Sequence, residues 1–298
     1  MQETWTDSGQ TQRPAANPPS ERWFEGHGIR IHGLEWGDRP AGTPILFLHG
    51  VGGNAWVWDD VAPRLATTLP GHRLVAIDQR DGGDTDHPAT AYDRADFIAD
   101  IAAVHDQLGG GPMILVGHSR GGWLGAAFAI EHPDRVAGLV LVDPARLAFA
   151  TDTDSESFYR WLREALGPFE SEEAALAWAR REDPDAAWTE VRTRSLLFGY
   201  RAAGDGSLVG KLPTSAVDQL RAARTGAEDV TAALETMTRP ALLLVAERQS
   251  AARIADKLAY ADRLPRVKTV RIDGTHFLHT DAPAVVSAAI AQFVTDEG

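Results

Sequence analysis

The sequence predicts an α/β protein: a mostly parallel central sheet, helices on both faces, and a helical segment inserted before the penultimate strand. Two observations predict it. Short continuous apolar runs alternate with helical patterns, as strands covered on both faces by crossover helices require. Between about Ala145 and Thr238 that alternation stops, charged Trp-bearing helical patterns take over, and then it resumes.

The elements follow in chain order. Residues 1–20 are polar and rich in Pro, Ser and Asn. They are expected to form a disordered tail, and they lack the basic start and apolar core of a secretory signal. RWFE and IRIHGLEW flank Gly26-His27-Gly28 and read as a hairpin. PILFLHG (Pro44–Gly50) is the first buried strand, and Asn54 stands where it can cap a helix over Ala55–Leu69. HRLVAID (His72–Asp78) is the second. A loop rich in Asp and Gly, Gln79–Ala91, leads to a helix over Tyr92–Leu108, with Phe97, Ile101, Val104 and Leu108 at helical spacing. PMILVG (Pro112–Gly117) is the third strand, Gly122–Glu131 a helix of small residues, and Val136–Val142 the fourth strand. The inserted segment carries FYRWLREAL, EEAALAWARRE and AAWTEVRTRSLLFGY, and Gly199–Lys211 reads as a turn leaving its helices. PALLLVA (Pro240–Ala246), a helix over Ala251–Arg263, the strand VKTVRI (Val267–Ile272) and a helix over Pro283–Val294 complete the chain. The expected division is a core of residues 21–144 and 239–298 around a helical cap of residues 145–238. Ligands of such sheets bind outside the carboxyl ends of the strands.

Composition narrows the function. The chain has 298 residues, a formal net charge of −13 and no cysteine. An acidic surface repels phosphate backbones and anionic lipid, so neither nucleic acid nor membrane is expected as a partner. Without cysteine there are no disulfides, no thiolate catalysis and no Cys-ligated zinc. No apolar run approaches the roughly 18 residues of a membrane helix, and the expected compartment is the cytoplasm. Asp78, Asp81, Asp84 and Asp86 lack the calcium-loop spacing, and no G-x-G-x-x-G follows the first strand; neither a metal nor a nucleotide cofactor is expected. The partner is a small-molecule substrate, and the oligomeric state is not legible.

The chemistry centres on LVGHSRGGW, Leu115–Trp123. A G-x-S-x-G between a buried strand and a helix is a nucleophile elbow, a sharp turn that projects Ser119 into the cleft; a plain tight turn is the alternative. An acyl-transfer serine needs donors for the oxyanion. One is the backbone N–H of Arg120, directly after the serine. The other is expected in the loop HGVGGN after the first buried strand, from the N–H of Val51.

These motifs resemble the α/β-hydrolase superfamily. HGVGG resembles its oxyanion loop and GHSRG its elbow. DQRDGGDT (Asp78–Thr85) resembles its D-x-R-G-x-G-x-S loop, with Asp81 in place of the first glycine and Thr85 in place of serine. GTHFLHTDAP (Gly274–Pro283) resembles its histidine loop, and the inserted segment stands where that family carries a cap. The resemblance implies the α/β-hydrolase fold, a serine nucleophile and a chain order of Ser, acid, His. His276 is then the general base. His279 supports the loop or packs, His118 supports the elbow, and His49 braces the oxyanion loop.

The acid is less settled. The family's usual place follows the strand PALLLVA, but there Ala246 replaces glycine and Gln249 stands where Asp is expected. A glutamine amide can hydrogen-bond a histidine but brings no charge. Some members carry the acid at the tip of the preceding strand, which matches Asp143. Asp143 is the first candidate and Glu247 the second; a dyad or a water-bridged arrangement stays open.

Trp56, Trp58 and Trp123 flank the oxyanion loop and elbow in sequence and are candidates for a substrate pocket, with core packing as the alternative. Trp161, Trp178, Trp188, Phe198 and Tyr200 belong to the inserted segment and are expected chiefly to pack it, a few roofing the substrate. The reading is a capped serine hydrolase for a carboxylic ester or lactone of small to medium, moderately apolar kind. A C–C bond or amide hydrolase, a hydrolase-fold binding protein and a cofactor-free oxygenase are the rivals. The resembling dehalogenases and epoxide hydrolases attack through an elbow aspartate, which this chain lacks.

Overall fold

The apolar runs become strands whose side chains alternate between two cores. In β6 (Met113–His118), Met113 and Leu115 face one side while Ile114 and Val116 face the other. β4 (Pro44–Leu48), β5 (Arg73–Ile77), β7 (Val136–Val142) and β10 (Ala241–Ala246) alternate in the same way. That period of two, with both faces apolar, is why these runs read as continuous rather than alternating in sequence.

The computed structural model describes residues 3–5, 18–37, 42–145, 152–223, 230 and 233–297. Among these residues, β1 (Glu3–Trp5), β2 (Ser20–Glu25), β3 (Arg30–Trp36) and β11 (Val267–Ile272) join the five strands above. The sheet runs β1-β11-β10-β7-β6-β4-β5-β3-β2. Only the β2–β3 and β3–β5 pairings are antiparallel. The order confirms the α/β-hydrolase fold. The segment expected to be a disordered tail nonetheless supplies β1, paired in parallel with β11; residues 1–2 and 6–17 lie outside the described residues.

Helices α1 (Ala62–Thr68) and α10 (Pro283–Glu297) bury Leu65, Val286, Ile290 and Phe293 on one face of the sheet. On the other, α2 (Arg94–Gln107), α3 (Arg120–Glu131) and α8 (Ala251–Ala261) bury Phe97, Ile101, Leu124, Phe128 and Tyr260. The helix expected over 55–69 is divided: a 3-10 turn, Ala55–Trp58, capped by the Asn54 side chain on Trp56 N–H, precedes α1.

Between β7 and β10 lie α4 (Asp152–Ala165), α5 (Glu172–Glu182), α6 (Glu190–Phe198) and α7 (Thr214–Ala222). The stretch expected to be a turn, Gly199–Lys211, is instead a hairpin of β8 (Tyr200–Ala202) and β9 (Leu208–Gly210). Its strands are three residues each, too short to show a hydrophobic period. Aromatic contacts hold the segment to itself: Trp161 lies 5.9 Å from Phe158 and 6.1 Å from Trp178, and Trp178 lies 5.9 Å from Phe169. Among the described residues no helix is long and apolar enough to cross a membrane.

Candidate active site

The carboxyl ends of the parallel strands collect the residues that carry chemistry. β4 and β6 are neighbours, Leu48 level with Gly117, and β6 lies beside β7, His118 level with Val142. The chain leaves β4 toward β5 on one side and enters β6 on the other, so a crevice opens where the order reverses.

Ser119 closes β6 and opens α3. Its backbone sits at φ 51 and ψ −119, a strained conformation for a residue with a side chain. The neighbouring glycines explain how the turn closes. A Cβ at Gly117 would lie 2.3 Å from the Gly121 carbonyl oxygen, and one at Gly121 would lie 2.4 Å from the Leu48 oxygen. The turn holds the serine outward at the start of a helix, where the aligned peptide dipoles favour negative charge.

His276 comes from the loop after β11. Asp281, in the short helix α9 (Leu278–Asp281), shapes that loop by accepting Thr275 N–H at 2.7 Å and its hydroxyl at 2.6 Å. His118 donates from Nε2 to the His276 carbonyl at 2.8 Å. The Ser119 hydroxyl donates to His276 Nε2 at 3.0 Å, and His276 Nδ1 donates to Asp143 Oδ2 at 2.5 Å. The His276 side chain is 31% exposed and that of Asp143 is fully buried, so the imidazole reaches solvent while the carboxylate is sealed behind it.

Asp143 stands at the tip of β7 with φ 39. Its Oδ1 accepts Ala246 N–H at 3.1 Å and the Gln249 amide at 3.0 Å. Lys257 of α8 brings its ammonium to 3.8 Å from Oδ2 and also donates to the Pro144 carbonyl. Burial opposes its charge, but His276, Lys257 and the Ala246 N–H outweigh burial and hold the carboxyl below the usual carboxylate range. Gln249, which stands where the resemblance expects an acid, turns its amide to the aspartate. Lys257 was missed, because a lysine inside a helical pattern carries no sign of which face it occupies.

Glu247 does not reach His276. Its N–H pairs with the Ile272 carbonyl and its carboxylate with Arg271 at 3.0 Å, away from the histidine.

The loop from His49 to Asn54 lies over the elbow, Gly50 close against His118 and Ser119. His49, fully buried, accepts Gln79 N–H on Nε2 at 2.8 Å, and Gln79 returns an amide bond to the His49 carbonyl at 2.6 Å. Asp78 accepts Ala55 N–H at 2.6 Å and Asp84 N–H at 2.8 Å, which turns the Asp-rich loop beside it. Among the described residues the N–H groups of Val51 and Arg120 donate to no other group. Burial keeps His118 neutral, well below the ordinary histidine range, with the nearby His279 and His276 adding to the effect. His279 is fully buried beside it, ring centroids 4.3 Å apart.

The three tryptophans part company. Trp58 is fully buried against Phe47 and His279, ring centroids 5.2 and 5.0 Å away, so it belongs to the core and not to a substrate pocket. A 3-10 turn points residues three apart to one side, and that side faces the sheet. Trp56 is half-buried under the Arg194 guanidinium, 4.5 Å from its ring centre, and near Phe198 of α6. Trp123 is half-buried along α3 against the core. The inserted segment meets the loop from His49 to Asn54 directly. Asn54 donates to the Ser195 carbonyl at 2.8 Å and accepts its hydroxyl at 3.2 Å. Leu162 of α4 lies over Gly52, within 3.4 Å of where a Cβ would stand. Among the described residues no group of three or more His, Asp or Glu is arranged to hold a metal.

Comparison with known proteins agrees with this architecture. A family model described as alpha/beta hydrolase fold matches residues 43–283. The chain is 29% identical over 262 residues to the 2-(acetamidomethylene)succinate hydrolase of Mesorhizobium japonicum, across 86% of this chain and 90% of that one. The crystal structure of E-2-(acetamidomethylene)succinate hydrolase matches with a TM-score of 0.78 at 26% identity, covering 93% of this chain and 99% of that one. An N-acyl homoserine lactone degrading enzyme shares the fold, with a TM-score of 0.68 at 22% identity over 91% and 100% of the two chains.

Proposed function

This chain belongs to the α/β-hydrolase family, and from that premise we propose that it cleaves a carboxylic ester or lactone through an acyl-enzyme on Ser119. One observation carries the reading: the unbroken relay from Ser119 Oγ to His276 Nε2 at 3.0 Å and from His276 Nδ1 to Asp143 at 2.5 Å. The Ser119 oxygen attacks the acyl carbon as its proton passes to His276 Nε2. Asp143 holds the tautomer that leaves Nε2 free to accept, and stabilises the imidazolium. The Val51 and Arg120 N–H groups receive the charge that develops on the acyl oxygen. His276 returns the proton to the leaving oxygen, the acyl–serine remains, and water activated by the same histidine releases the acid.

The segment between β7 and β10 acts as the cap. Leu162 brings an apolar side chain of this segment over Gly52, beside the nucleophile, which suits a small to medium, moderately apolar acyl group. A second reading, amide cleavage by the same residues, draws support from the similarity to 2-(acetamidomethylene)succinate hydrolase, whose name describes an acetamido compound. The chemistry differs only in the leaving group, since an amine must take the His276 proton before it departs.

Intact-mass measurement after a fluorophosphonate tests the reading. The wild-type protein gains one adduct and Ser119→Ala gains none; a wild type that fails to label overturns the acyl-enzyme. Turnover of matched esters, lactones and amides then separates the two substrate classes.

A further inference from the structure

The loop after β5 carries a buried acid that the reaction drawn above does not use. Asp81 stands where the resembling motif has glycine. Its backbone does not adopt the left-handed conformation, so a side chain costs nothing there. Gly83, two residues on, is the position that needs glycine, with φ 57 and no room for a Cβ, which would lie 1.8 Å from Asp78 Oδ2.

The Asp81 side chain is fully buried. Its Oδ2 accepts the Gly52 N–H at 2.9 Å, and the same oxygen is the ion-pair partner of the Arg120 guanidinium. That guanidinium lies 4.3 Å from the centre of the Phe97 ring, which limits its freedom. Gly52 directly follows Val51, and Arg120 directly follows Ser119. One carboxylate oxygen therefore joins the two chain segments that carry the N–H groups assigned above to the oxyanion.

The elbow is fixed by its close packing, but the loop that faces it is not rigid by composition. The loop from His49 to Asn54 contains Gly50, Gly52 and Gly53, and glycine backbones have wide conformational freedom. The His49–Gln79 bonds fix where the loop begins, and Asp81 fixes its tip. Burial disfavours charge on Asp81, but Arg120, His49 and the Gly52 N–H outweigh it and hold the carboxyl below the usual range. An ionised acceptor makes a shorter and stronger bond to a backbone N–H than a neutral one.

We propose that Asp81 is a positioning residue for the oxyanion hole: by holding Gly52 and Arg120 on one carboxylate oxygen, it sets the separation and direction of the Val51 and Arg120 N–H groups. It does not touch substrate. The inference rests on the acyl-enzyme reading, and it concerns how the donors are held rather than whether Ser119 reacts. A donor displaced by about 1 Å costs roughly a hundredfold in rate while leaving ground-state binding little changed.

The test compares wild type, Asp81→Ala, Asp81→Asn and Ser119→Ala. The readouts are kcat and KM for p-nitrophenyl butyrate, the rate of fluorophosphonate labelling, the Kd of phenylboronic acid and the melting temperature. Asp81→Ala is expected to lower kcat and the labelling rate by roughly 10- to 100-fold, with KM within about twofold of wild type. Its boronate affinity falls in parallel, because the boronate's tetrahedral oxygen uses the same donors. Asp81→Asn keeps an acceptor for Gly52 but loses the charge, and is expected to fall between wild type and Asp81→Ala. A merely structural residue would lower the melting temperature and leave kcat and boronate affinity at their wild-type values; that outcome overturns the proposal, as does a loss confined to KM. If Asp81→Ala does not fold, the nearly isosteric Asp81→Asn carries the test. Failure of the acyl-enzyme reading looks different: wild type would not label, or Ser119→Ala would keep its turnover.

Discussion

The tips of β7 and β10 are neighbours, Val142 level with Leu244, and each is followed by an acid. Asp143 is fully buried, surrounded by a backbone N–H, the Gln249 amide and the Lys257 ammonium, and aimed at His276. Glu247 keeps a 29% exposed side chain and pairs with Arg271 of the neighbouring strand β11. Two carboxylates one strand apart thus live in opposite environments. A histidine needs a carboxylate that reaches its far nitrogen and stays ionised there, and neither requirement refers to chain position. At the position where the resemblance expects an acid, the Gln249 amide instead donates to Asp143.

The difference between the two tips can be broken by substitution. The largest effect is expected from Asp143→Asn. It keeps the volume but favours the wrong tautomer of His276, and kcat should fall roughly 10³- to 10⁴-fold in steady-state ester hydrolysis. A loss of that size in Glu247→Gln instead would transfer the role to the other tip. Next comes Gln249→Leu, which removes one hydrogen bond to a buried carboxylate. It should lower kcat by roughly three- to tenfold, since such a bond is worth about 1–3 kcal/mol and only part of it is felt in the transition state. If kcat is unchanged, Gln249 is a bystander.

A smaller effect separates the buried side of the site from its rim in acid. Burial holds His118 and His279 neutral, the latter pushed down to about 3. Both titrate near 6.5 once unfolded. Their contribution to stability is complete above that value and is lost progressively as pH falls toward the folded values, at up to about 1.4 kcal/mol per pH unit for each group. The melting temperature should decline below about pH 6.5, and His279→Phe should make the decline shallower; an identical slope in the variant would exonerate His279. The smallest effect is expected from Glu247→Gln, whose ion pair is partly exposed and worth at most about 1 kcal/mol, so kcat should stay within about twofold.

How far the sequence carried the argument varies from residue to residue. The elbow was legible because the glycine–serine pattern between an apolar run and a helix is local, although only Gly117 is closed off by a residue nearby in sequence, Gly121 being closed off by Leu48 of β4; the sheet was legible because each apolar run must be buried on both faces. Trp58 could be assigned to the core and not to a pocket only from the fold, because nearness in sequence to the loop after β4 says nothing about which side of a turn a ring occupies. The hairpin of β8 and β9 was hidden by strands of three residues.

The sequence by itself determined the α/β class, the strand–turn–helix setting of Ser119 and a short roster of partners, because local period, turn chemistry and steric need are written in neighbouring residues. Tertiary structure alone decided which acid faces His276, what Gln249 and Lys257 do, and where Asp81 points. Those choices depend on the strand order β11-β10-β7 and its register, which bring residues more than a hundred positions apart within hydrogen-bonding distance. No local pattern encodes that meeting; it is fixed when the two cores pack against the sheet.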